Sequence, residues 1–254
     1  MSAATAPTVP EGLEGRPRSR VVAVAGGKGS PGCTFVAIGL SRCLAESGLE
    51  TLLLDADAEA PGVAAWLDLP ALQPAFARAA GQGALTPAAI RELASPAGER
   101  LGVVELGRTD GIDGRELAAQ ARGAHAAVVV DVGHGLGPFQ RQLMAAADWV
   151  LWVVVPDRLG LDRADRALAE RPPGGDAGLV ANRCGPSRLR GGEGVLADRH
   201  ALPLVVRIRE DARTARAVLE RGAAPHRRRP FSTPFRELAR TVHPDCSVRV
   251  RAWP

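Results

Sequence analysis

The chain contains almost no lysine. Lys28 is the only lysine among its 32 lysine and arginine residues, so all the others are arginine. A lysine ammonium is a compact point charge, and the planar fork of arginine does not replace it where space is tight. We therefore expect Lys28 to stand where the chain requires a point charge at close quarters.

Cysteine is also scarce, and its four residues are scattered without a CxxC pair or the spacing of a metal site. This pattern argues against a disulfide framework and is typical of a protein of the reducing cytosol. Long apolar runs are missing as well. The sequence has neither the apolar stretch of a signal peptide nor a run long enough to span a bilayer. We therefore predict a cytoplasmic protein.

The length of 254 residues suffices for one α/β domain with a full core, and no internal repeat is visible. Residues 1–18 are rich in Ala, Pro, Gly and Glu without apolar periodicity, which predicts a disordered leader. We expect a single domain over residues 19–246, including a C-terminal helix, followed by a short tail at residues 247–254.

Short apolar runs alternate along the chain with longer stretches of helical composition. The runs are rich in Val and Leu, which is typical of parallel strands covered on both faces. They lie at residues 21–25, 51–54, 101–106, 126–130, 149–155, 178–181 and 203–208. The predicted helices lie at residues 33–47, 86–94, 114–122, 138–147, 160–171 and 211–221, and residues 71–83 are ambiguous. This alternation predicts an α/β fold, a doubly wound, mainly parallel sheet with helices on both faces.

Polar residues follow several predicted strands at their carboxyl ends. A glycine-rich segment, residues 26–34, follows the first strand, while the second strand ends at Asp55 and the fourth at Asp131. Ligands of doubly wound sheets bind at the carboxyl ends of the strands. We therefore expect these three features to converge on one binding site.

The glycine-rich segment matches the phosphate-binding pattern G-x-x-x-x-G-K-[ST] at all positions but one. Gly27, Gly32 and Thr34 are in place, and Cys33 occupies the position of the lysine. Backbone amides in such a loop point at an anion, and Thr34 is placed to put its hydroxyl on Mg²⁺. Lys28, which lies earlier in the loop, can supply the missing charge from another direction.

The same segment also contains the dinucleotide pattern G-x-G-x-x-G, formed by Gly27, Gly29 and Gly32, with Asp55 at a suitable distance beyond it. A dinucleotide-dependent oxidoreductase is therefore an alternative. It accounts for the glycines and Asp55, but not for Lys28 or Thr34.

The loop resembles the deviant Walker A loop, K-G-G-x-G-K-[ST], of the MinD/ParA family of P-loop ATPases. The resemblance extends over most of the chain beyond residue 20, and it implies ATP and Mg²⁺ as ligands and an ATP-sandwiched homodimer. It implies catalytic roles for Lys28, which would reach phosphate, and Asp57, which would position the attacking water. It implies metal binding by Thr34, Asp55 and Asp131. The nucleotide-binding residues that it implies are Gly27, Lys28, Gly29, Ser30, Pro31, Gly32, Cys33, Thr34 and Asn182, the last reading the adenine edge.

Within that family the chain is most similar to the CpaE/TadZ branch, found beside pilus-secretion genes, whose loops also lack the second lysine. The segment from residue 219 to residue 230, LERGAAPHRRRP, carries this similarity. It implies a switch protein that positions or assembles a pilus, secretion or septum-site machine, with proteins of that machine as partners. Nucleic acid is a less favoured partner.

Three departures from the family pattern affect the expected activity. Ser30 replaces a glycine, Cys33 replaces the second lysine, and Arg209 stands where a proline usually frames the base. A charged hydrogen bond contributes about 1.5–3 kcal/mol, so the lost lysine predicts weaker ATP binding and slow or absent hydrolysis. A nucleotide-free pseudo-ATPase scaffold is therefore a further alternative. At the N-terminus of a helix, Cys33 is expected to have a lowered thiol pKa.

The C-terminal region is basic and amphipathic. Phe231, Phe235, Leu238 and Val242 recur at helical spacing, and arginines lie off this stripe. Such a helix either packs against its own sheet or contacts the inner face of a membrane as a peripheral anchor. The sequence leaves both interpretations open.

Overall fold

A computed structural model shows the fold and describes residues 19–27, 31–57, 60, 62–70, 76, 79, 85–107, 109, 111–134, 136–185, 191–221 and 225–247. The predicted leader, most of the ambiguous segment 71–83 and most of the predicted tail lie outside the described residues. So do three of the predicted loop residues, Lys28, Gly29 and Ser30.

The described residues form one eight-stranded sheet in the order β3-β4-β2-β5-β1-β6-β7-β8. All neighbouring strands are parallel except the two-residue edge strand β3, which is antiparallel to β4. The strands are β1 Arg20–Gly26, β2 Thr51–Asp55, β3 Ser95–Pro96, β4 Leu101–Glu105, β5 Ala127–Gly133, β6 Trp149–Val154, β7 Asp176–Cys184 and β8 Leu204–Arg209. The prediction of a doubly wound, mainly parallel sheet is confirmed.

Helices cover both faces of the sheet. They are α1 Cys33–Glu46, α2 Val63–Trp66, α3 Pro87–Leu93, α4 Gly114–Ala124, α5 Pro138–Ala146, α6 Arg158–Ala169, α7 Gly192–Arg199, α8 Ala212–Arg221 and α9 Ser232–Val242, with a 3₁₀ turn at Pro225–Arg227. One core cluster packs α3 to α7 on one face, and the other packs α1 and α9 on the opposite face. The sequence analysis missed α7 because it is short and contains two glycines and few apolar residues.

The strand β1 lies in the middle of the sheet, between β5 and β6. Its amino end is held by Asp148, whose carboxylate accepts a hydrogen bond from the Val21 amide at 2.7 Å. The same carboxylate forms ion pairs with Arg20 at 3.4 Å and with Arg122 at 2.8 Å. The loop that follows β1 therefore begins from a strand that is fixed at its other end.

The C-terminal helix α9 packs on α1. Phe235, Leu238 and Val242 are buried, and the ring of Phe235 lies so close to Gly39 that a Cβ there would be 2.2 Å away. The interpretation of α9 as a helix packed back on its own domain is confirmed, since its apolar stripe is part of the core. No helix in the described ranges is long and apolar enough to cross a membrane.

Candidate functional site

A cavity of about 530 Å³ opens at the carboxyl ends of the central strands. Its walls come from the start of α1, from the segments that follow β2 and β5, and from the ends of β7 and β8. The cavity brings together most of the described residues predicted from the sequence, namely Pro31, Gly32, Cys33, Thr34, Asp57 and Asn182. Gly27, Asp55 and Asp131, which the sequence also predicted, do not line this cavity, so one binding site shared by all these residues stays a prediction.

The start of α1 forms one wall and is suited to an anion. Gly32 occupies the N-cap position with φ +96°, and no described side chain caps the helix. The first amides of an α-helix have no partner inside the helix, and its dipole favours negative charge there. A phosphate at this point would satisfy these amides.

Asn182, on β7, holds the loop in place. Its Nδ2 donates to the Pro31 carbonyl at 2.8 Å, and its Oδ1 accepts from the Arg183 amide at 2.9 Å. The side chain is buried and packs against Gly32, where an added Cβ would lie 2.4 Å from Nδ2. Asn182 thus positions the loop, and the predicted contact with an adenine edge stays a prediction.

Thr34 lines the cavity and interacts with Asp131, which is buried and does not line it. Asp131 lies in β5, which continues two residues beyond the predicted end of the strand, and is fully buried. Its carboxylate accepts hydrogen bonds from the Thr34 hydroxyl and, at 3.2 Å, from the Gly133 amide. Its Oδ2 is buried without a hydrogen-bond partner. Burial raises the pKa of Asp131 to about 7, and the nearby carboxylates of Asp55 and Asp57 also raise it.

Asp55 lies beside Asp131 in the sheet, since the two are register partners of β2 and β5. Its carboxylate accepts hydrogen bonds from the amides of Asp57, Gly62 and Val63 at 2.9 to 3.2 Å. Burial raises its pKa, and the three amides oppose that rise. Asp55 therefore shapes the segment after β2 and fixes the start of α2; its predicted support of a metal stays a prediction.

Asp57 lines the cavity and packs tightly against Gly133. The Ala60 amide donates to its Oδ1 at 3.0 Å, and its Oδ2 lies 3.6 Å from Nδ1 of His134. A Cβ on Gly133 would lie 2.1 Å from Oδ2, and the φ of +69° at Gly133 also favours glycine. This position is compatible with the predicted orientation of a water molecule by Asp57.

Cys33 differs from its sequence-based prediction. Its side chain is buried, its Sγ donates to the Gly133 carbonyl at 3.4 Å, and its thiol pKa lies well above the usual value. Desolvation is the main cause, followed by the charges of Asp131 and Asp57. The predicted lowering of the pKa by the helix dipole is wrong, because burial and two carboxylates outweigh the dipole. Cys33 fills the space as a neutral residue.

This chemistry predicts slow alkylation of Cys33 by iodoacetamide at about pH 8, because only the thiolate reacts. We expect Cys184, which is partly exposed, to be labelled at least about tenfold faster in the same sample. Peptide mass spectrometry over a time course measures both rates, with Cys184 as the internal reference. Labelling of Cys33 at the rate of Cys184 would contradict the buried, neutral thiol.

The residues fit a magnesium ion that is shared with phosphate. The described residues contain no group of three or more His, Cys, Asp or Glu that could hold a metal ion by themselves. Mg²⁺ usually keeps several waters and takes only one or two carboxylates together with substrate phosphates. The Thr34 hydroxyl and the unpartnered Oδ2 of Asp131 suit that mode of binding.

The sequence analysis missed part of the cavity wall. Arg183, Trp66 and Arg216 line it, and Arg209, noted only as a departure from a pattern, lines it as well. Trp66 packs near Phe35, with ring centroids 6.4 Å apart. No sequence pattern links these positions, which come from four separate elements.

The CobQ/CobB/MinD/ParA nucleotide binding domain matches the chain over residues 22–222. The chain belongs to this family. The family assignment covers every described element that lines the cavity except the segment at Phe231. No curated protein sequence matches the chain significantly.

Several solved MinD/ParA structures share its fold. The septum site-determining protein MinD of Pyrococcus horikoshii, complexed with Mg-ADP, has a TM-score of 0.71 at 20% identity and covers 88% of this chain and 96% of its own. The MinC:MinD complex of Aquifex aeolicus has a TM-score of 0.70 at 19% identity, and the match covers 88% of this chain and 95% of the other. An ATP complex of McdA from Cyanothece has a TM-score of 0.67 at 19% identity, and the match covers 87% of this chain and 97% of the other. These likenesses establish the fold.

The strand order argues against the dinucleotide alternative. In the usual dinucleotide-binding fold the first strand pairs with the second. Here β1 pairs with β5 and β6, and β2 pairs with β4 and β5. The inserted β5 brings Asp131 directly beside β1, where its register partner is Val24.

Proposed function

We propose that this MinD/ParA family member is an ATP-binding switch protein, which hydrolyses ATP weakly or not at all. It dimerises around the nucleotide and positions or assembles a pilus, secretion or septum-site machine. One observation carries nucleotide binding: Thr34, in the first turn of the uncapped helix α1, donates to the buried Asp131, whose Oδ2 has no partner.

In this proposal the amides at the start of α1 bind phosphate, and Thr34 and Asp131 hold Mg²⁺ with the help of Asp55. Bound Mg²⁺ supplies positive charge that neutralises the phosphates. Asp57 orients water, and Lys28 contacts phosphate, as the resemblance implies. Hydrolysis is weak because Cys33 brings no charge to the loop, and catalysis of phosphoryl transfer depends on such charge.

We expect calorimetric titration of the purified chain with Mg·ATP to show binding with a dissociation constant in the micromolar range, about −8 kcal/mol. Light scattering on the same samples measures whether the mass doubles with nucleotide. NADH, titrated under the same conditions, is the control for the dinucleotide alternative and should give no heat.

Absence of heat and of thermal stabilisation with Mg·ATP would contradict nucleotide binding and favour a nucleotide-free scaffold. Two sequence features favour the scaffold alternative, since Ser30 and Cys33 both depart from the loop pattern of the family. The positioning role has a separate test. A fluorescent fusion should collect at a discrete site in cells, and the Asp131→Asn form should remain dispersed.

A further inference from the structure

His134 is a basic residue of the cavity wall to which the proposed function gives no role. It directly follows β5, and it lines the cavity together with Gly32, Cys33 and Thr34 from the start of α1. Its side chain is 24% exposed, so the ring is accessible to a ligand. The other basic side chains described in this wall come from β7, β8 and α8, namely Arg183, Arg209 and Arg216.

The backbone before His134 contacts the residue that occupies the lysine position of the loop. Sγ of Cys33 donates to the Gly133 carbonyl at 3.4 Å. That carbonyl belongs to the peptide unit that joins Gly133 to His134, so the backbone of His134 lies beside the Cys33 side chain. The buried thiol is neutral and brings no positive charge. A histidine therefore stands next to the point at which the family pattern carries a lysine.

The imidazole of His134 is held at the same end of the cavity by Asp57. Its Nδ1 lies 3.6 Å from Oδ2 of Asp57, and a Cβ on Gly133 would lie 2.1 Å from that oxygen. A partner at one ring nitrogen orients the ring and determines what the other nitrogen can do. In the proposed function, Asp57 orients the water that attacks the terminal phosphate. The imidazole beside Asp57 is therefore beside this phosphate as well.

The charges at this end of the cavity favour a cation. Asp57 lines the cavity, and Asp55 and Asp131 lie close enough behind it for the charges of the three carboxylates to interact. A nucleoside triphosphate adds further negative charge, of which Mg²⁺ neutralises a part. Among the residues that the structure describes, His134 is the one basic side chain that the segments around the start of α1 contribute to the cavity wall.

We propose that His134 donates a charged hydrogen bond from Nε2 to the terminal phosphate of the bound nucleotide. It thereby supplies part of the positive charge that Cys33 does not bring to the loop. This inference rests on the nucleotide binding proposed above. It gives the site a preference for a nucleoside triphosphate over a diphosphate, because only the triphosphate reaches the imidazole.

The test is calorimetry with Mg·ATP, Mg·ADP and AMP on the wild type, His134→Ala, His134→Gln and His134→Lys. We expect His134→Ala to weaken Mg·ATP binding at least about tenfold, the loss of one charged hydrogen bond. Binding of Mg·ADP and AMP should change less than about twofold, because neither ligand has the terminal phosphate. His134→Lys restores a cation and should recover most of the loss, whereas His134→Gln restores only a neutral donor and should recover less.

His200→Ala is the matched control. His200 also pairs with an aspartate, since its Nε2 lies 2.7 Å from Oδ1 of Asp165, and its side chain is 13% exposed. It does not line the cavity. The control variant therefore loses the same kind of contact away from the site, and it should leave all three titrations unchanged. Thermal unfolding without ligand reports whether each variant is folded.

A second measurement needs no substitution. Diethyl pyrocarbonate acylates accessible imidazoles, and peptide mass spectrometry gives the rate of modification at each histidine. With Mg·ATP at ten times its dissociation constant, modification of His134 should be about tenfold slower, because about one molecule in ten is then free of ligand. Mg·ADP at the same saturation should change this rate less than about twofold. His200 is the internal reference and should react at the same rate in every sample.

The outcomes separate the two proposals. If the wild type binds Mg·ATP but His134→Ala binds it equally tightly, or Mg·ATP does not slow the modification of His134, the inference is overturned and nucleotide binding stands. An equal loss for Mg·ADP and Mg·ATP also overturns it, since His134 would then act on the phosphates that both share or on the wall itself. If the wild type binds none of the ligands, both proposals fail.

Discussion

Replacing Gly32 by alanine is expected to reduce Mg·ATP affinity about a hundredfold or more, the equivalent of losing two charged hydrogen bonds. The added Cβ would lie 2.4 Å from Nδ2 of Asn182, so the asparagine must leave the Pro31 carbonyl and release the loop. The φ of +96° adds backbone strain. Calorimetry with Mg·ATP measures the loss of affinity, and thermal unfolding measures the loss of stability.

Gly48→Ala is the matched control for the strain. Gly48 has a φ of +100°, close to that of Gly32, and an added Cβ would meet no atom within 4 Å. We expect this variant to be destabilised by about 1–2 kcal/mol, the strain of a left-handed residue, with unchanged nucleotide affinity. If Gly32→Ala bound Mg·ATP as tightly as Gly48→Ala, the hydrogen bond from Asn182 to the Pro31 carbonyl would have no role in binding.

Asp131→Asn is expected to remove the dependence of nucleotide binding on Mg²⁺ and to weaken Mg·ATP binding about a hundredfold or more. Asparagine can still accept from the Gly133 amide, but it brings no charge to the cation. The change removes the negative charge of the carboxylate, to which the unpartnered Oδ2 belongs. Titrations with ATP in magnesium and in a chelator measure the effect. Asp162→Asn, an exposed change on α6, is the control and should leave both titrations unchanged.

The same variant should be more stable than the wild type without ligand. The Asp131 pKa is raised to about 7, above about 3.9 in the unfolded chain. The protonated form therefore stabilises the fold fully below about pH 4, and this contribution is lost as pH rises through about 7. We expect the gain in thermal midpoint from Asp131→Asn to be larger at about pH 8 than at about pH 5. Equal gains at both pH values would contradict the assignment of this titration to Asp131.

The sequence predicts the sheet well because most strands are covered on both faces. The runs that became β1, β2 and β5 are continuous and apolar, and every residue of β2 and β5 is buried. Their order along the chain is enough to predict a doubly wound sheet. The helix α7 was missed, because its eight residues show little apolar periodicity and it is held by contacts with α6, β7 and β8.

The sequence predicts the site residues that belong to local patterns, but it does not predict contacts between segments that are far apart along the chain. Thr34 could be placed because it belongs to a local sequence pattern, and Asp131 could be placed because it directly follows an apolar run. The bond between Asn182 and Pro31 joins residues 151 positions apart, and no sequence spacing indicates it. The pKa of Cys33 was misjudged for the same reason, since the carboxylates that raise it come from β5 and the segment after β2.

The anchor at Asp148 has an evolutionary consequence. It fixes the amino end of β1, seven residues or about 20 Å from the cavity, so part of the stability of the central strand comes from contacts remote from the loop. Changes at the ligand end, such as cysteine at position 33 or arginine at position 209, can then accumulate while the scaffold persists. The architecture of this chain can therefore be inherited unchanged while the residues of its loop vary.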